Sequence, residues 1–300
     1  MFNPRVTKPA LLLAGAIAIA TPAIAKTWGP WSAPVSVEAL PGSGINVNTA
    51  SNDGCPIQSP DGLSLFMASN RPGGYGGQDI WVAHRNSTDE GWGDPVNLGP
   101  EVNSAVDDFC PSPTRGERLF FVSRRDEPNG DIYMTRLTKD GWTTPVSLGP
   151  NVNSGAQEWS PSYFEDELGR GVLYFSSTRA GTQDIYASVE LAPALPVAEL
   201  NTGADDSRPN VSKDGLEIVF DSTRPGTLGG PDLWTASRPS TDAPWGEVTH
   251  LGNGINTAAA ETRATFSWDG SSIVFGSTRP GVEGAADIFI TTREKVTGKK

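Results

Sequence analysis

After the first 25 residues the hydrophobic positions of this chain fall in short runs of about four to seven, broken by Gly, Pro, Asn and Asp, with no stretch of helical periodicity long enough to compete. The first such set comprises residues 55–59, 63–69, 79–85 and 92–98, four strand-sized segments in succession. Between the first two, Pro60-Asp61-Gly62 is a turn by its chemistry, because Pro sets φ and Gly supplies φ above zero. The whole set then recurs five times at a period of about 50 residues, which points to propeller blades.

The copies can be followed residue by residue. Each opens on an acid, Asp53, Asp108, Glu158, Asp206 or Glu261. A Ser-Pro-Asp-Gly turn follows, complete at 59–62 and nearly so at 212–215 and 267–270. Then comes an apolar strand ending in Ser-x-Arg, with Arg71, Arg125, Arg179, Arg224 and Arg279. The next strand starts at Asp79, Asp131, Asp184, Asp232 or Asp287, followed by Ile or Leu and an aromatic: Trp81, Tyr133, Tyr186, Trp234 or Phe289. A segment of the form W-x-x-P-V-x-L occupies 92–98 and 142–148, and more loosely 245–251. Asn48, Asn103, Asn153, Asn201 and Asn256, each followed by Ser or Thr, precede the opening acids.

Four antiparallel strands per unit, repeated radially, describe an all-β five-bladed β-propeller. The fifth copy lacks its W-x-x-P-V segment, and the missing piece stands at the other end as Trp31-Ser32-Ala33-Pro34-Val35. The N-terminal segment is therefore expected to complete the last blade, which hides the two sheet edges an open array would expose.

Residues 1–25 read as a signal peptide, with Arg5 and Lys8 before the apolar run 10–20 and an Ala-x-Ala site at 23–25. The run is too short to span a membrane with stop-transfer flanks. A periplasmic or secreted, monomeric protein is expected, with residues 26–300 forming one domain. The chain holds 35 acidic against 23 basic residues, a formal net charge of -12, which disfavours nucleic acid and anionic membrane as partners. Its two cysteines, Cys55 and Cys110, each fall two residues after an opening acid. An oxidising compartment permits a disulfide there, but neighbouring blades could hold these positions beyond the roughly 7 Å Cα limit for bridging. Two small buried thiols are the alternative.

The Ser-Pro-Asp-Gly, Ser-x-Arg-x-Gly and Asp-Ile-Tyr pattern resembles the TolB-type, WD-repeat-like propeller repeat common in exported bacterial proteins, over nearly the whole mature chain. The resemblance implies fold and compartment, and a role in binding a partner of the envelope. TolB proteins have six blades and a preceding α/β domain, and this pattern has five blades and no such domain.

Recurrence across all five copies marks blade construction. The Ser-x-Arg arginine and the following aspartate, as in Arg71 with Asp79 and Arg279 with Asp287, flank a hairpin connection where an ion pair or carboxylate-to-backbone bonds would hold the blade. The Gly-rich turn 73–77 is no phosphate cradle, because a strand and not a helix follows it. The opening acids either ring one mouth of the channel, where like charges would shift pKa values or attract a cation, or accept N–H bonds from the adjacent linker. Two positions after the acids stand Cys55, Cys110, Ser160, Arg208 and Arg263, small on one side of the ring and cationic on the other. A polar pocket is expected in which carboxylates of the first three blades face these arginines, with Asp206, Glu261, Phe109 and Trp159 as further ligand contacts. Trp28, Tyr75 and Trp268 also stand outside the repeat.

Asp53, Asp108 and Glu158 occur in the order in which five-bladed glycosidases of the arabinanase type place base, pKa tuner and acid, although the surrounding motifs differ. Neither His84 nor His250 belongs to a ligand cluster or a nucleophile arrangement. No cofactor is called for, and calcium is admitted only by the many Asp-Gly turns, without a twelve-residue loop pattern. The leading expectation is an exported, non-enzymatic propeller that binds a protein or glycan of the envelope. A glycoside-acting enzyme using the inner acids and a purely structural scaffold are the alternatives.

Overall fold

The computed structural model describes residues 28–296; the expected signal peptide lies outside them. Five antiparallel sheets form the five blades, and in the first they run Asp53–Gln58, Ser64–Ser69, Asp79–His84 and Val96–Asn97, in chain order from the axis outward. The five first strands, Asp53–Gln58, Asp108–Pro113, Glu158–Glu165, Asp206–Val211 and Glu261–Phe266, contact one another in a closed ring and wall the channel. Closure is as the sequence predicts. Val35–Ser36 pairs antiparallel with Asp287–Thr292, Val35 opposite Ile290 and Ser36 opposite Phe289, so the N-terminal segment is the outer strand of the last blade. No helix among the described residues is long and apolar enough to cross a membrane.

The outer strands are shorter than the pattern suggests. Of 92–98 only Val96–Asn97 pairs, because Trp92 leaves the sheet to be buried completely, with the Arg85 guanidinium 4.1 Å from its ring centre. Trp245 with Arg238 and Trp31 with Arg293 repeat the arrangement at 4.3 and 4.4 Å. Full burial of such a side chain stabilises by about 1.5–3 kcal/mol or more, and two further ladder bonds contribute only about 1 kcal/mol each.

Within the blades, alternation puts Met67, Phe121, Phe175, Phe220 and Phe275 at one register position, all fully buried. Each sits opposite the aromatic of Asp-Ile-aromatic, as Phe121 opposite Tyr133 and Phe275 opposite Phe289, with ring centres 6.2 and 6.1 Å apart. The Ser-x-Arg guanidinium lies over these rings, Arg125 at 5.3 and 5.1 Å and Arg279 at 5.3 and 4.6 Å. The repeat therefore builds a core whose upper end is a cation held on aromatic faces.

Candidate functional site

The first layer at the channel mouth consists of the opening acids, and none of the five has exposed surface. Asp53 accepts from the Thr49 backbone N–H at 2.6 Å and hydroxyl at 2.8 Å on one oxygen, and from Arg71 Nη2 at 2.7 Å on the other. Asp108 takes Ser104 and Arg125 the same way, and Asp206 takes Thr202, Ser222 and Arg224. Glu158 and Glu261 reach the equivalent Ser154 and Thr257, a strand serine, and Arg179 and Arg279 at 3.1 and 3.3 Å. The same Arg Nη2 atoms donate to linker carbonyls, for example those of Val47 and Val102. Each linker asparagine completes the tie, as when Asn103 exchanges two bonds with the backbone of Ile80 at 2.8 and 3.0 Å.

Several sequence expectations change on this geometry. Of the two ties expected across the Gly-rich turn, the carboxylate-to-backbone bonds are present, from Tyr75 and Gly76 to Asp79 and from Glu283 to Asp287, whereas the ion pair is not: Arg71 and Arg279 pair with Asp53 and Glu261. Asp53, Asp108 and Glu158 do not converge on an open pocket; of the two alternatives the sequence left, bonding to the adjacent linker is the one found, both carboxyl oxygens of each accepting from the linker or the Ser-x-Arg arginine. Asp206 and Glu261 are withdrawn from ligand contact for the same reason. A satisfied buried carboxylate is a construction element, since displacing any partner would leave a charge uncompensated.

The second layer lies two residues further on. Cys55, Cys110, Ser160, Arg208 and Arg263 all adopt left-handed backbone, with φ of 48, 49, 53, 53 and 58°. At each, the pairing register with the second strand slips, as between Gly54 and Ile57 or Thr262 and Thr265, so the strand carries a bulge. Left-handed backbone costs a non-glycine residue on the order of 1–3 kcal/mol, and no copy relieves it with glycine. The side chains it turns toward the axis gather around one cavity of about 30 Å³ that all five line. Convergence also answers the distance question for the cysteines: Cys55 and Cys110 are 4.8 Å apart at Cα and disulfide-bonded. The Ser160 hydroxyl lies 3.3 Å from the Cys110 sulfur.

The ring is divided. On the side of blades 1 to 3 the disulfide packs with Ala68, Phe109, Val122 and the partly buried Trp159. Phe109 and Trp159 meet edge to face at 5.7 Å, Arg124 lies over both, and the indole N–H donates to the Asn129 carbonyl at 3.0 Å. On the side of blades 4 and 5 the equivalent positions are polar. Arg208 Nη1 pairs with Asp221 at 2.5 Å, the Ser207 hydroxyl donates to the same carboxylate at 3.0 Å, and the Arg263 backbone N–H donates to its other oxygen at 2.9 Å. The expected pocket therefore exists with a different acid. The arginines face Asp221 of their own side, not carboxylates of blades 1 to 3.

Asp221 occupies a position that is Ala68, Val122, Ser176 and Gly276 in the other copies, each opposite the residue after an opening acid. Comparing the copies at that column would have found it. Above the pair opens a cleft of about 330 Å³ lined by Gln157, Thr178, Gln183, Asp205, Ser207, Arg208, Asp221 and Thr223, with only Gly181 and Pro231 besides. Burial, with the neighbouring Arg208, pushes the Arg263 guanidinium down to about 10 against the pull of Asp221. Among the described residues no cluster of three or more His, Cys, Asp or Glu side chains is arranged to hold a metal ion. At the opposite end of the channel Trp268 lies between Arg115 and Lys213, 4.7 and 5.1 Å from its ring centre, and borders with Trp28 a cleft of about 500 Å³.

No family model and no curated protein matches the sequence. Among solved structures the chain is similar to a thermostable family-43 glycoside hydrolase, at 13% identity and a TM-score of 0.57, over 86% of this chain and 94% of that one. It is similar to an α-L-arabinofuranosidase from Podospora anserina in complex with cellotriose, at 10% identity and 0.55, over 90% and 97%. A putative TolB from Agrobacterium tumefaciens matches at 17% identity and 0.51, over 83% and 82%. At such identities the shared property is the propeller fold, which hydrolases and TolB proteins alike adopt.

Proposed function

We propose that this protein is a non-enzymatic binding propeller that takes an oxygen-rich group of an envelope glycan in the polar cleft over blades 3 and 4. One observation carries the reading: the carboxylates that hydrolysis would use are held in ion pairs with no exposed surface, whereas the partly exposed Arg208 side chain, held by the buried Asp221, lines a cleft of hydrogen-bonding side chains. Glycoside hydrolysis needs two carboxyl groups free to face a bond between them. Binding of a hydroxyl- or carboxyl-bearing chain needs only fixed donors and acceptors, and Arg208, held by Asp221, with Gln157, Asp205 and Thr223 beside it, supplies both. The signal peptide expected from the sequence supports a ligand outside the cytoplasm.

Calorimetric titration against a panel of bacterial envelope and plant polysaccharides tests this, with parallel assay for released sugar. Binding without product, weakened roughly tenfold or more in Arg208→Ala, is expected. Product release that disappears in Glu158→Gln would overturn the non-enzymatic reading, and capture of a protein with no affinity for any glycan would overturn the choice of ligand.

A further inference from the structure

The charges in the axis of the ring do not balance. Two guanidinium groups, Arg208 and Arg263, and one carboxylate, Asp221, share the polar side of the channel. Asp221 is fully committed, one oxygen to Arg208 and Ser207 and the other to the Arg263 backbone N–H. The Arg263 side chain makes no hydrogen bond or ion pair with any described residue, and its Nε is buried without a partner, as is that of Arg208. Even pushed down to about 10, the partly buried Arg263 remains protonated at neutral pH, so its charge stays in place.

The surroundings are shaped for that guanidinium and not for its neutralisation by protein. Its Nη1 lies over Gly54, where a Cβ would stand 3.3 Å away; the equivalent positions of blades 2 and 3 are filled by Phe109 and Trp159. Gly54 thus leaves room for a neighbour's charge where Phe109 and Trp159 would not. The adjoining cavity, about 30 Å³, a volume on the order of one water or one small ion, has Ser160, Asn210 and Thr265 on its wall beside the two arginines, the rest being the disulfide, prolines, Ile57 and Ala264.

We propose that the channel cavity is a binding site for one small monovalent anion, of halide or formate size, held between Arg208 and Arg263. The anion supplies the missing negative charge and partners for unserved guanidinium N–H groups. Because it sits one layer below the glycan cleft, the site stands or falls independently of the ligand proposed there. Arg208 lines both spaces.

Thermal unfolding of the full chain at constant sodium concentration tests the proposal, with gluconate, too large for the cavity, exchanged stepwise for chloride, bromide or formate. A saturable rise of the midpoint, by roughly 2–4 °C at saturation, is expected for the wild type. It should vanish in Arg263→Met and in Gly54→Leu, which displaces the guanidinium. Crystals grown with bromide should show an anomalous peak against Arg263. Response to formate alone would mean that the site reads a carboxylate tip, and response to halides as well would mean a free ion; both support the site. A midpoint insensitive to the exchange, or a variant that responds as the wild type does, together with no bromide peak, would overturn it.

Discussion

The two sides of the channel are built on the same five-fold backbone and solve its interior in opposite ways. Blades 1 to 3 fill the axis with a disulfide and cover it with Phe109 and Trp159, so that side is closed and apolar. Blades 4 and 5 place Arg208, Arg263 and Asp221 at the matching positions and leave space above them. Both sides keep the same left-handed bulge, with φ between 48 and 58°. The lesson is that backbone strain at these five sites belongs to the ring, whereas the side chains mounted on it distinguish a plug from a receptor surface.

That contrast can be broken from the outer layer inward. Replacing an opening acid by its amide, Asp108→Asn on the closed side or Asp206→Asn on the open side, removes the partner of the partly buried Arg125 or of the buried Arg224. Each should cost about 3–5 kcal/mol in urea unfolding. Equal losses would show that the acid layer is indifferent to the division; a small loss at one of them would make that acid more than construction. A smaller effect is expected from Cys110→Ser, which opens a cross-link spanning 55 residues of sequence and should cost about 2–4 kcal/mol while sparing ligand binding across the ring. Loss of binding in that variant would mean that the closed side shapes the open one.

The smallest expected effect sharpens the comparison at the rim. Asp131 lies beneath the loop that supports Trp159, and burial, with Glu158, Glu127 and Asp126 nearby, pushes its carboxyl up to about 6. The folded protein then holds this proton more tightly than the unfolded chain. The associated stability is full below pH 3.8 and is lost as pH rises through about 6. Asp131→Asn should therefore raise the unfolding midpoint at pH 8 and leave it unchanged near pH 3.5. The gain should be at most about 1 kcal/mol after solvent screening. An equal shift at both pH values would place its cause elsewhere.

Much of the architecture was legible because each element rests on contacts that repeat. The acid, the Ser-x-Arg and the linker Asn recur because every blade needs the same tie to the next, and Trp31 to Val35 announced the closure by matching a piece absent from the last copy. What the sequence left open was which partner the arginine takes. Arg71 has Asp79 eight residues downstream in the sequence, but the sheet carries Asp79 to the turn and brings Asp53 across the hairpin, 2.7 Å from Arg71. The site was half legible: the Cys, Cys, Ser, Arg, Arg column marked the axis, while Asp221 stayed hidden because it belongs to a different strand.

The sequence by itself determined five blades, their strand chemistry, the ring closure and the column on which the copies disagree, because these follow from local turn chemistry, alternation and repetition. Only the tertiary structure decided that the opening acids are inaccessible, that Cys55 meets Cys110, and that the Arg263 side chain has no hydrogen-bond partner among the described residues. Those outcomes depend on how five inner strands converge on one axis, and no local rule measures the few ångströms across a ring.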